Sequence, residues 1–274
     1  MQPVRAPAVA GMFYPESSEE LARVISELLA GAHAVPGPCP KALIVPHAGY
    51  VYSGAIAAAA FAQITAHAAR IRRVILVGPA HREFVDGLAW PDAAKLGTPV
   101  GDVEVDVEAI EQLISPTDDA PVVAGLPRIA ANARAHAREH CLEVMLPFLR
   151  QLVPHAKIVP LIGSRATPEQ IGRVLDALWG GAETLIVISS DLSHHLTYDA
   201  AATQDAGTAA RILALDATLE GSDACGAIGI DGLLWLARQK QLRVEQLDLR
   251  NSGDTAGGHD RVVGYGAFAF YEAS

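Results

Sequence analysis

Four short runs, at positions 42–45, 73–77, 158–162 and 185–188, constrain the fold more than any other feature of the chain. They are rich in Val, Ile and Leu and lack the apolar–polar alternation of a half-exposed strand, which is the pattern of strands buried on both faces. Between and around them, segments 17–30, 53–69, 139–152, 167–179, 199–215 and 222–239 carry helical spacing and plausible caps. Strands buried on both faces with helices between them predict a three-layer α/β/α sandwich whose central sheet is largely parallel. Residues 261–271 alternate around Gly264 and Gly266 and read as a closing strand, and 103–105 as a short peripheral one, so the sheet is expected to be mixed. The Pro- and Gly-rich stretch 35–40 is only a loop, and residues 1–274 are read as one domain.

Chemistry-bearing residues follow three of these runs. KALIVP leads into His47, RRVILVGPA into His81, and ETLIVISS into Asp191, His194 and His195. In open α/β sheets the loops beyond the carboxyl ends of the strands converge on a crevice, so these side chains are expected to meet. Pro46 stiffens one exit and Gly49 lets the backbone turn closely past His47. Two histidines at one sheet edge suit a metal, which needs converging neutral nitrogens; each alone also reads as a histidine satisfying backbone groups.

Cys225, in GSDACG after a Ser222 cap, is expected in the first turn of a helix, where backbone amides favour the thiolate that binds metal. The alternative is a small buried apolar side chain, the reading given to Cys39 and Cys141. Asp191 and His194 stand three apart, a spacing that puts both on one side of a helical turn as an acid–base pair; a helix cap with solvated histidines is the competing reading, and His195 points elsewhere. In REHCLEVMLPFL, His140 and Glu143 share a face of an expected helix, open to a metal-ligand role or to an ion pair bracing the helix.

Other functions are excluded by what is missing or repelled. The balance of 21 basic against 31 acidic residues, a net of −10, opposes a phosphate backbone, so no nucleic-acid partner is expected. The apolar start, 6–14, is broken by Pro7 and Gly11, and no run approaches the roughly 18 apolar residues of a spanning helix, so no signal peptide and no membrane partner are expected. Three cysteines cannot make a disulfide framework and suit a reducing, cytoplasmic setting. Zinc-protease H-E-x-x-H, the serine-hydrolase G-x-S-x-G elbow and the P-loop lysine are all absent, and NSGDTAGGH reads as a mobile loop.

The segments RAPAVAGMFYP, IVPHAGYVYSG, LVGPAH, EHCLEVMLPFL, ISSDLSH, ACG and NSGDTAGGHDRVVGYGAFAFY, in this order along nearly the whole chain, resemble the Memo family, also called AmmeMemoRadiSam system protein B. The resemblance implies a fold like that of class III extradiol dioxygenases. It implies His47, His81 and Cys225 as metal ligands, with iron(II) the expected metal and zinc or copper as alternatives. It implies His194 as the acid–base residue with Asp191 beside it, and Phe13 and Tyr52 lining the pocket. It further implies a small-molecule or peptide ligand and association with radical S-adenosylmethionine and AMMECR-type proteins. Those dioxygenases use two histidines and a carboxylate, so a thiolate at Cys225 is a departure: it is softer and itself oxidisable. The functions expected are an iron-dependent redox or oxygenase-like protein, a non-catalytic ligand-binding module, or a zinc hydrolase.

Overall fold

In the computed structural model, which describes residues 1–114 and 125–273, the four apolar runs form the parallel heart of a nine-stranded mixed sheet. They are β1 (Ala42–Val45), β2 (Arg73–Pro79), β3 (Lys157–Arg165) and β4 (Thr184–Ser189), in the spatial order β1, β4, β2, β3. Every residue of β1 and β4 is buried, which explains why neither run alternates. Beyond β1 the closing strand β6 (Val262–Tyr271) runs antiparallel, flanked by β5 (Arg243–Asn251) and, at its start, by His194–Leu196. Beyond β3 lie Gly87–Trp90, antiparallel, and then Ile129–Ala131. A separate three-stranded sheet joins Gln2–Arg5, Ala93–Leu96 and Val103–Glu104.

Helices α1 (Ser18–Gly31), α2 (Tyr50–Ala62), α3 (Pro168–Ala177), α4 (Tyr198–Leu213) and α5 (Ala227–Lys240) flank the large sheet, giving the expected three-layer sandwich. Two helix starts follow the expected capping chemistry: Ser17 accepts from the Glu20 amide, and Thr167 with Gln170 forms a capping box. Among the described residues, no helix is long and apolar enough to cross a membrane.

Three helical expectations shift, two of them where side-chain or carbonyl acceptors claim the backbone amides. The expected 139–152 helix begins only at Leu146, where Pro147 suits the first turn, after a turn and a short 3-10 segment, Glu143–Met145. The amides of His140 and Cys141 are held instead by the Glu139 carboxylate, at 2.9 and 3.2 Å. The expected 222–239 helix begins at Ala227, because the amides of Cys225 and Gly226 bond to Asp191 O and Ser190 Oγ at 3.2 and 2.9 Å. The 53–69 helix instead spans Tyr50–Ala62 and continues as a 3-10 segment, Thr65–Arg70. The NSGDTAGGH stretch is tied down: Asn251 and Asp254 form a reciprocal cap and the Gly257 amide bonds Ser252 O at 2.7 Å.

Candidate metal centre

The exits of β1, β2 and β4 converge as the strand order requires. Asp191, just past β4, accepts the His47 amide at 2.7 Å and so joins the β4 exit to the β1 exit. Burial raises its carboxyl, against the opposing pull of the His47 and Ala48 amides, to about 7. Asp191 does not orient His194, contrary to the sequence-based pairing. The two residues lie on an extended stretch leading into a short strand rather than on a helical turn, and His194 Nδ1 donates to Leu192 O at 2.8 Å. That bond fixes the proton on Nδ1, because a carbonyl can only accept, and leaves Nε2 as the free nitrogen.

The same accounting fixes the other two strand-end histidines. Ser189 Oγ gives its single proton to Cys141 O at 2.6 Å, so its 2.8 Å contact with His47 Nδ1 requires that nitrogen to be the donor. His47 is buried, and burial holds its basicity well below the ordinary imidazole range, so the ring is neutral with its lone pair on Nε2. His81 Nδ1 lies 2.9 Å from Glu139 Oε1, and the His81 amide donates to Glu139 Oε2 at 2.7 Å. Burial pushes the Glu139 carboxyl up, but the His81 ring and the surrounding amides outweigh it and bring it down to about 2. Glu139 is therefore a carboxylate that accepts from His81 Nδ1, so Nε2 is the His81 nitrogen left for a metal. A carboxylate behind an imidazole is the usual arrangement that orients a metal-binding histidine.

Cys225 Sγ lies 3.4 Å from His47 Nε2 and accepts the Asp191 amide at 3.3 Å. It sits just before α5 rather than in its first turn. Burial, with the Asp191 carboxylate beside it, pushes the thiol up to about 12, so the helix end does not generate the thiolate anticipated from sequence. Gly226 lets this turn press against β4: a Cβ there would stand 2.7 Å from Ser189 O.

His140 is the residue that sequence reasoning underweighted. Its ring stacks on His81 with centroids 4.9 Å apart, and His47 meets the two edge-on at 5.2 and 5.4 Å. One ring nitrogen from each of His47, His81 and His140 lies within 4.8 Å of the others. Cys225 belongs to neither such grouping found among the described residues. The second grouping, His81 with Glu139 and Cys141, is structural bracing: Glu139 is occupied as above, and Cys141 Sγ donates to Pro79 O at 3.0 Å. Gly78 makes this approach feasible, since a Cβ would stand 2.8 Å from Cys141 Sγ. The usable sequence signal was a histidine adjacent to a glutamate inside an otherwise apolar run.

Glu143 braces something other than its own helix. Its carboxylate pairs with Arg5 and accepts the Ala8 and Val9 amides and Tyr14 Oη at 2.7 to 2.9 Å, pinning the N-terminal arm across the site. The arm lays Phe13 on His140, centroids 4.9 Å apart. Phe13 and the half-exposed Tyr52 line an apolar hollow of about 520 Å³. His81, His194, His195 and Cys225 line a different cleft, of about 390 Å³.

Comparison with known proteins adds the lineage. Residues 5–269 match the Memo-like protein family. The chain belongs to the Memo family. A MEMO1 family protein of Aquifex aeolicus is 34% identical, covering 96% of this chain and 97% of that protein. Relatives of the same description in Caldivirga maquilingensis and Methanobrevibacter smithii are each 31% identical over 97% or more of both chains. In this Memo-family chain the donor set suits a borderline or soft transition metal: imidazoles with directed lone pairs and a thiol fit iron, zinc or copper, whereas calcium or magnesium requires oxygen ligands.

Proposed function

We propose that this protein is an iron-dependent oxidoreductase with oxygenase-like activity on a small phenolic or other aromatic substrate. His47, His81 and Cys225 hold the metal and His194 moves protons. The observation that carries this reading is that Ser189 and Glu139 accept from Nδ1 of His47 and His81, leaving Nε2 of each ring as the nitrogen a metal can take at one sheet edge. The Asp191 amide on Cys225 Sγ would stabilise the thiolate on metal binding.

Iron(II), when bound, supplies redox chemistry toward dioxygen and a Lewis-acidic position for a substrate oxygen. The chain supplies the rest. His194, its Nδ1 proton committed to Leu192 O, offers a neutral Nε2 as base toward a phenolic proton, and burial holds its basicity below the ordinary range. Phe13, packed at a tilt on His140, supplies an apolar wall beside it.

Protein purified without oxygen should hold near-stoichiometric iron, and His47→Ala should lose it. Retention of normal iron by that variant would overturn the site. Oxygen uptake with a panel of catechols tests the reaction separately. A second reading, a ligand-binding module without turnover, is favoured by one feature: none of the proposed ligands lines the apolar hollow of Phe13, Tyr50 and Tyr52. Saturable binding of an aromatic ligand that survives chelation of all metal, with no product formed, would support it.

A further inference from the structure

We propose that His140 is itself a ligand of the metal centre, so that three imidazoles, from His47, His81 and His140, form its main face and Cys225 approaches it from the flank of His47. The inference rests on the metal-centre reading above and adds a donor to it.

Three independent features of His140 point the same way. First, its ring makes no hydrogen bond among the described residues, and its Nδ1 is buried without a partner. The nearest acceptor, Glu139 Oε1 at 3.3 Å, is already engaged by His81 Nδ1 and by the His140 and Cys141 amides. An imidazole with an unpaired buried nitrogen costs stability unless something else fills that role. The rings of His47 and His81 show the contrast, since each has a protein partner for Nδ1.

Second, ligand nitrogens each about 2.1 Å from one ion lie about 3 to 4 Å apart. The nitrogens of His47, His81 and His140 are within 4.8 Å of one another, so small side-chain rotations bring them onto a common ion. Third, the backbone of His140 is fastened to the ring of His81 through one atom: Glu139 Oε1 takes the His140 amide and the His81 Nδ1 at 2.9 Å each. A single carboxylate thus sets the spacing of two imidazoles, as outer-sphere carboxylates do for ligating histidines. Phe13 packs on His140 and holds the ring in that place. Cys225, by contrast, is near only one of the three nitrogens, His47 Nε2 at 3.4 Å.

The test is titration of metal-free protein with Co(II), reading affinity, the visible ligand-field spectrum and the sulfur-to-cobalt charge-transfer band. The proteins compared are wild type, His47→Ala, Cys225→Ser, His140→Gln and His140→Phe. The phenylalanine keeps a ring against Phe13 without a donor, and thermal melting of each metal-free variant checks folding. Both His140 variants are expected to bind Co(II) at least about tenfold more weakly, the loss caused even by removing an outer-sphere partner. They should also show an altered ligand-field spectrum and a smaller cobalt-induced rise in Tm, while keeping the charge-transfer band. Wild-type affinity and an unchanged spectrum in either folded His140 variant, with binding lost in His47→Ala, would overturn the His140 assignment alone. Absence of Co(II) binding by wild type, or binding unchanged in His47→Ala, would overturn the metal centre itself.

Discussion

Replacing Glu139 by Gln removes the one side chain that organises both His81 and His140. The carboxylate accepts the His81 amide and ring and the His140 and Cys141 amides, and a carboxamide has only one accepting oxygen for these donors. Its hold on the folded state can be sized from its acidity. Glu139 titrates at about 2 in place of 4.5, and that difference is worth about 3 kcal/mol. The sign follows from the lowered value: the contribution is fully present above 4.5 and is lost as pH falls through about 2. Urea unfolding of metal-free wild type and Glu139→Gln should therefore differ by about 3 kcal/mol at pH 7, with the gap shrinking below pH 4.5 and closing toward pH 2. Metal affinity at pH 7 should also fall by about 10- to 100-fold, since His81 loses the acceptor that orients it. A stability loss below about 1 kcal/mol at pH 7, or a gap that does not change between pH 7 and pH 3, would refute the assignment of Glu139 as an ionised organiser.

Four further outcomes are expected. Metal affinity should rise by close to tenfold per pH unit between about pH 6 and 9, because the Cys225 thiol, at about 12, must lose a proton to ligate, whereas burial holds His47 well below its ordinary range and His140 at about 4. In Cys225→Ser that slope should vanish, and a flat wild-type profile by competition titration would remove Cys225 from the ligand set. In metal-free protein near pH 8, iodoacetamide should label Cys225 far more slowly than an ordinary thiol, and rapid labelling in a timed mass-spectrometric assay would contradict its raised value. Arg5→Ala should cost about 3 to 5 kcal/mol and expose the N-terminal arm to limited proteolysis, because the buried Glu143 carboxylate loses its cation; a wild-type digestion pattern would refute that clamp. His194→Gln should leave metal content unchanged while slowing turnover about 100-fold or more with any substrate that the catechol screen identifies, and steady-state kinetics with parallel metal analysis reads both.

How much of this was legible in the sequence varies with the range of the interaction involved. The four apolar runs announced a buried sheet because burial on both faces leaves a direct mark on composition. The location of His47, His81 and Asp191 followed from being next in line after those runs, and the ordering of segments along the chain carried the family resemblance that residues 5–269 bear out. Helix beginnings were harder to read at 139–146 and 222–227. Sequence spacing favours helix there, but the Glu139 carboxylate claims the next two amides locally, and Ser190 and the Asp191 carbonyl, tertiary partners, claim those of Gly226 and Cys225.

The sequence by itself determined which residue types could gather at the sheet edge. Only the tertiary structure decided their roles, because roles depend on where each proton goes. Ser189 and Glu139 set the tautomers of His47 and His81 from 142 and 58 positions away. Burial, which a local window cannot measure, turned the expected Cys225 thiolate into a thiol pushed up to about 12. The same packing gave Asp191 the His47 amide instead of the His194 ring, and set His140 against His81 with a buried nitrogen still unpaired. Strand-end position follows from order along the chain, whereas protonation and ligand choice follow from distances measured across it.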